Sequence, residues 1–286
     1  RSREENLNWD VSSSLNAGKF FPSQWKITLP VFYNYGQTVI TPLFNPLDPD
    51  VRYSDLTSNP AISDGRKDTI ARQVKDLTER KGFNVSNARI DGFKRPNAKP
   101  FPWDISNFSF TYAYNEFSQR NVNTEYNIRR QYRGNVQYIY SLRKPPELRP
   151  FAKSKSLDNK WFIIIKDINL QLLPNTFGAS FDVNRTYTAL KNRDITSFYS
   201  GGQDFVNPTL VNKNFLMNRN YNMRWDITKS LKFDWMATNE SRILEPYGEY
   251  WKDAGKPYRD YVTKTFLEGR DSVNSAGQTV NVGRFG

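Results

Sequence analysis

The feature that most constrains this chain is the alternation of side-chain character between residues 126 and 142. Tyr126, Ile128, Arg130, Tyr132, Val136, Tyr138, Tyr140 and Leu142 occupy one parity, and Asn127, Arg129, Gln131, Arg133, Asn135 and Gln137 the other. Successive side chains of a strand point to opposite faces, so a period of two predicts a strand with one apolar and one wet face. The run is more than twice the mean strand of soluble proteins, about 5–6 residues. A tilted strand crosses a bilayer in about 9–11 residues, so the remainder would project beyond it.

The same period recurs along the chain. Leu7, Trp9, Val11 and Leu15 alternate with Asn6, Asn8, Asp10, Ser12 and Ser14, before a turn at Ala17-Gly18-Lys19. Trp25, Ile27, Leu29, Val31 and Tyr33 form a second run with Pro30 inside it, a fault tolerable at an edge or a bulge. Phe83 and Val85 begin another, in which Ala88 and Ile90 require a bulge or a change of register. Phe108, Phe110, Tyr112 and Tyr114 alternate with Asn107, Ser109, Thr111 and Asn115. A strand is read from Ile168 to Pro174; Phe177, Phe181, Val183 and Tyr187 follow, with Arg185 interrupting. The cleanest hairpin runs down Phe215, Met217, Tyr221, Met223, Trp225 and Ile227, turns at Thr228-Lys229-Ser230, and returns through Leu231, Phe233, Trp235 and Ala237. Thr279 to Val282 opens one more strand.

Two stretches lack the period. Residues 36–82 are read as a loop insertion, with an amphipathic helix near 66–81 because Ile70, Val74 and Leu77 stand at helical spacing. Residues 242–278 are read as a second insertion. The predicted fold is therefore all-β: a sector of an antiparallel transmembrane β-barrel, about eight long strands with long loop insertions and one short helix. The ends at Arg1 and Gly286 read as cut from something longer, so residues 1–286 are taken as one fragment of a larger barrel.

Composition supports a wall that is apolar on one side only. Aromatics reach 15% while all hydrophobic residues reach 37% and mean hydropathy is −0.74. Such an aromatic content excludes disorder, and a dry soluble core would hold more aliphatic residues. The longest apolar run, Trp161-Phe162-Ile163-Ile164-Ile165, is far short of the ~20 residues of a membrane helix. Candidates for the lipid face are Leu7, Trp9, Phe108, Phe110, Tyr138, Trp225 and Trp235; candidates for a watered lumen are Asn127, Gln131 and Asn222.

The chain has no cysteine and no histidine, which removes disulfides, thiolate chemistry, histidine triads and the usual zinc sites. Asp48, Asp50 and Asp55 lack the glycine and terminal glutamate of a calcium loop, and read as a solvated turn. Glu116 and Glu125 have no sequence-visible partner for acid–base work, and no phosphate loop or nucleophile elbow occurs. No enzyme activity, metal or cofactor is expected. The net charge of +12 is spread along the chain instead of forming a nucleic-acid footprint, so no nucleic acid is expected as a partner.

Particular residues carry a resemblance. Pro42-Leu43-Phe44-Asn45-Pro46-Leu47-Asp48-Pro49-Asp50-Val51 follows Tyr33-Asn34-Tyr35; downstream come Asp104-Ile105-Ser106-Asn107-Phe108 and Asn218-Arg219-Asn220-Tyr221-Asn222-Met223-Arg224-Trp225-Asp226. In this order they resemble the SprA/Sov family, the gliding-motility and type 9 secretion proteins of the Bacteroidetes. The resemblance implies an outer-membrane translocon, a very large barrel that exports folded cargo. It implies as partners the secreted cargo proteins, a PorV-type barrel subunit, a periplasmic plug protein and outer-membrane lipid. It carries no catalytic residues. The alternatives from the residues alone are a passive outer-membrane porin or nutrient receptor, and a soluble β-rich glycan-binding protein.

Overall fold

The computed structural model describes residues 3–92, 101–142, 146–149, 169–195, 207–228, 230–243, 245, 270–273 and 279–282. Eight long strands make up one antiparallel sheet: β1 (Glu4–Asn16), β2 (Pro30–Pro42), β3 (Asp76–Ile90), β4 (Phe108–Arg120), β5 (Thr124–Ser141), β6 (Thr176–Asn192), β7 (Leu210–Asp226) and β8 (Lys232–Ile243). Their order in the sheet is their order in the chain, so each strand pairs with its sequence neighbours. Among the described residues β1 and β8 are the two edges. No described helix is long and apolar enough to cross a membrane, which says nothing about crossing by strands.

Local chemistry sets the turns. Between β4 and β5 the Asn121 side chain accepts from the N–H groups of Asn123 (3.0 Å) and Thr124 (2.8 Å). Between β7 and β8 the Thr228 hydroxyl accepts from the N–H of Leu231 at 2.9 Å. Side chains that bond the backbone two or three residues on favour tight reversals over continued strand. Pro30 is the first residue of β2, where its missing N–H interrupts no ladder. The preceding Ile27–Thr28 peels away and pairs with Ile90 and Arg89 of β3.

The register change expected near Ala88 is a bulge. Val85 pairs with Tyr112 and Ala88 with Phe110, so three steps on β3 oppose two on β4. Asn87 adopts φ 50° within it, and its N–H donates to the Thr111 hydroxyl at 3.0 Å. The extra residue flips the parity and keeps Val85 and Ala88 on the same face. A β-branched side chain at φ 50° meets its own backbone, at a cost of about 1–2 kcal/mol. Asn87→Val should therefore lower unfolding stability by about that much while Asn87→Gly leaves it nearly unchanged, as read by denaturant midpoints.

The insertions are narrower than the sequence period indicates. Residues 36–42 complete β2 and residues 76–82 begin β3, so the connection between them is 43–75. It holds two helices, Tyr53–Ser58 and Asp64–Val74, in place of one near 66–81. The helix stops at Val74, with the Lys75 N–H still bonded to Ala71 O at 3.2 Å, and Leu77 belongs to the sheet. Ahead of the helices, Phe44–Asn45 pairs with Asp48–Arg52 around an Asx turn, Leu47 N–H to Asn45 Oδ1 at 3.1 Å. In the second insertion, Arg242 and Ile243 still belong to β8, and Arg270–Val273 pairs with Thr279–Val282. From the expected 168–174 strand only Leu170–Gln171 is paired, with Glu147–Leu148. Ile168, Lys229 and the Trp161–Ile165 run lie outside the described residues.

Candidate functional site

The sheet has two chemically distinct faces, and the registers place each side chain on one of them. Leu7, Trp9, Phe108, Phe110, Tyr138, Trp225 and Trp235 all share one face, hereafter the aromatic face. Asn127, Gln131 and Asn222 share the other, hereafter the polar face. Six ring pairs form on the aromatic face, among them Trp9–Tyr35 at 5.2 Å, Phe108–Tyr138 at 5.0 Å, Tyr114–Tyr132 at 5.0 Å and Phe181–Tyr221 at 6.0 Å. Trp9, Phe108, Phe110 and Trp235 remain about 40% exposed despite these contacts.

The polar face is a ladder of amides, hydroxyls and charges bonded across strands: Thr38 to Asn8 at 2.8 Å, Asn135 to Asp182 at 2.5 Å, Arg242 to Asn214 at 3.0 Å. Gly36, Gly82 and Gly178 lie on this face, and a Cβ at any of them would strike the side-chain oxygen of Asp10, Asn34 or Asn222 respectively. The neighbouring polar groups lean into the space each glycine leaves. Phe32, Phe117, Ile139 and Met236 also lie on this face, so its polarity is a majority property.

On the aromatic face the apolar residues form a diagonal band. One row of partners runs straight across the strands from Val11 through Tyr35, Lys81, Glu116, Arg130 and Tyr187 to Lys213. On β1 the apolar run Leu7 to Leu15 is centred on this row, at Val11. On β4 the run Phe108–Tyr114 is centred five residues from the row, on β5 Tyr132–Tyr140 six, and on β6 Phe177–Val183 seven. On β7 the run Met217–Trp225 is centred eight residues from it, and on β8 Phe233–Ala237 is centred on Trp235, opposite Met223 and ten residues from it. Ten residues at ~3.4 Å carry the band about 34 Å along the strands, while seven gaps of ~4.8 Å carry it about 34 Å across. The band therefore crosses the sheet at about 45° to the perpendicular of the strands.

Above the band the aromatic face turns to ion pairs, which sequence reasoning missed. The Glu116 carboxylate accepts from the Tyr114 hydroxyl at 2.6 Å and Arg130 Nε at 2.8 Å, with Lys81 Nζ at 3.4 Å. Arg185 binds Glu245 and stands over the Tyr132 ring at 5.5 Å. Tyr35 donates to Glu79 at 2.8 Å, and Lys191 meets Glu125 at 2.7 Å. Glu116 and Glu125 thus do have partners, from strands β3, β5 and β6. The only signal in the sequence was the intrusion of Arg130 and Arg185 into apolar parities; their acidic partners depend on the register. Arg219, buried at the upper margin of the band, donates to Asn239 at 2.7 Å and Ser241 at 3.1 Å.

Against this geometry stands one match to a known family. Residues 1–56, which span β1, β2 and the small hairpin beyond them, match the profile SprA_N, described as a motility related/secretion protein. The N-terminal part of the chain is thus similar to a motility- and secretion-related family. The comparison with curated proteins gives no match.

Proposed function

We propose that this chain is a wall segment of an outer-membrane protein-conducting channel, of the type 9 secretion and gliding-motility class, through which folded cargo is exported. The observation that carries the membrane part is the slope of the apolar band. Strands of membrane barrels tilt about 35–45° from the bilayer normal. Tilting this sheet by about 45° brings the diagonal band level, as a single belt lying in the plane of a bilayer. On β1 and β5 the belt then spans nine residues each, Leu7 to Leu15 and Tyr132 to Tyr140, the length a tilted strand needs to cross. The two sheets of an aligned soluble sandwich cross at only about 30°, less than this slope.

In this reading the aromatic face meets lipid and the amide-rich face lines water. Closed pairing satisfies every backbone group, since an open polar group in hydrocarbon costs several kcal/mol. The ion pairs above the belt lie on the parts of β3 to β6 that project beyond the bilayer. The wall acts as a conduit, with no chemistry on cargo and no cofactor. The match of residues 1–56 to a motility and secretion family supports cargo export over solute uptake. By the resemblance already drawn, a PorV-type barrel subunit and a periplasmic plug would work with it.

Depletion of the protein tests the export reading. Secreted proteins should accumulate in the periplasm by at least about tenfold over the wild type while the outer membrane stays intact, measured by fractionation and quantitative mass spectrometry. Unchanged secretion with loss of small-solute uptake would leave a barrel and remove the translocon.

A further inference from the structure

At the lower edge of the belt the aromatic face opens into a cleft of about 360 Å³. Ile27, Leu29, Ala88, Ile105, Phe110 and Val136 are among the residues that line it. Two earlier features create it. The break before Pro30 lets Ile27–Thr28 cross to β3, and the bulge at Asn87 turns the small Ala88 onto the aromatic face where a larger residue would fill the space. The volume is at the lower end for small-molecule sites, about 300–1,000 Å³, and its mainly apolar lining suits a stretch of hydrocarbon chain and not a charged headgroup.

The rim has a different chemistry. Residues 11–47 contain no carboxylate, and their only cations, Lys19 and Lys26, are both exposed on the corner beside the cleft. Arg89 is already paired with Asp91 at 3.0 Å, so the two lysines are the surplus charge. Beside them in the chain Phe20 is 78% exposed and Trp25 45%. Exposed aromatics interleaved with lysines mark the headgroup level of a membrane. With the belt level, this corner lies below it and the cleft within its lower half.

We propose that the cleft holds one acyl chain of an anionic glycerophospholipid whose phosphate rests against Lys19 and Lys26. This rests on the membrane-wall reading and adds a specific lipid site to it. The small apolar cleft and the two lysines suit one phosphodiester; lipid A, with several chains, is the competing outcome.

The test uses the protein purified from its membranes in mild detergent, incubated with phosphatidylglycerol, phosphatidylethanolamine or lipid A and read by native mass spectrometry. Wild type should retain one phosphatidylglycerol. Ala88→Trp, which fills the cleft, should reduce retention about tenfold, the loss expected when about two methylenes forfeit burial. Ile105→Glu, on a turn outside the sheet, should do the same without burdening the fold. Lys19→Glu with Lys26→Glu should abolish the preference for phosphatidylglycerol over phosphatidylethanolamine. Retention unchanged in the cleft variants, or lipid A retained in preference, overturns the proposal. Partition of the wild type between detergent and buffer is measured beside it. A protein that stays in detergent but holds no lipid refutes the cleft alone; one that moves to buffer refutes the wall as well.

Discussion

Phe110→Arg should block assembly of the sheet into membrane, while Thr111→Arg, one position along the same strand, should leave most of the protein folded. Phe110 pairs with Val136 near the middle of the belt; Thr111 pairs with Asn135 on the polar face. An arginine on the lipid side of a barrel costs about 2–4 kcal/mol at the midplane and little near the interfaces. That is a large share of a stability of ordinary size. At Thr111 the arginine enters a row that already holds Asn135 and Asp182. It forfeits only the hydroxyl that accepts from Asn87 N–H, worth about 1 kcal/mol. The amounts of heat-modifiable, protease-resistant protein in the outer-membrane fraction give the comparison. Equal tolerance at the two positions would sink the assignment of faces, and with it the belt.

The second large effect is expected at Glu116. Its carboxylate is 14% exposed and gathers the hydroxyl of Tyr114, the Nε of Arg130 and the ammonium of Lys81 from three strands. Removing one partner of a buried ion pair costs about 3–5 kcal/mol, because the groups left behind were desolvated for it. Lys81 is 40% exposed and recovers water readily, so the lower end of that range applies. Glu116→Ala should lower the unfolding free energy by about 3 kcal/mol, read from denaturant midpoints of the reconstituted protein. Glu116→Gln, which still accepts from Tyr114, should fall between. A loss below about 0.5 kcal/mol would mean that water, not the carboxylate, satisfies these donors.

The strands were legible in the sequence where they carry the belt and obscure where they leave it. Residues 126–142 could be read at once because apolar and polar side chains alternate along nearly the whole of β5. Residues 36–42 and 76–82 could not. They lie at the belt's upper margin, where Gln37, Glu79 and Lys81 interrupt the aromatic face between the pair Val39–Leu77 and the residues below, so backbone pairing continues after the contrast between faces has gone. Leu77, in the sheet, falls by chance at helical spacing from Ile70 and Val74, which lengthened the expected helix. The bulge was legible because it breaks parity within an apolar run. The slope of the belt was not, since it exists only once eight registers are known. The cross-strand partners of Arg130 and Arg185 were hidden for the same reason.

The sequential order of the sheet also bears on how it forms. Three residues, 121–123, separate β4 from β5, whereas thirty-four, 142–175, separate β5 from β6. Each doubling of a loop adds about 0.6 kcal/mol of closure entropy, so joining β5 to β6 carries about 2 kcal/mol more than closing the β4–β5 hairpin. Contact order is low within the tight hairpins and rises at that junction and at the β2–β3 connection, where thirty-three residues, 43–75, intervene. The β4–β5 and β7–β8 hairpins are therefore the natural nuclei. Their zipping across β6 is a slow step, as is the closure of β2 onto β3, so a lesion in β6 should delay folding more than an equally costly one in β1.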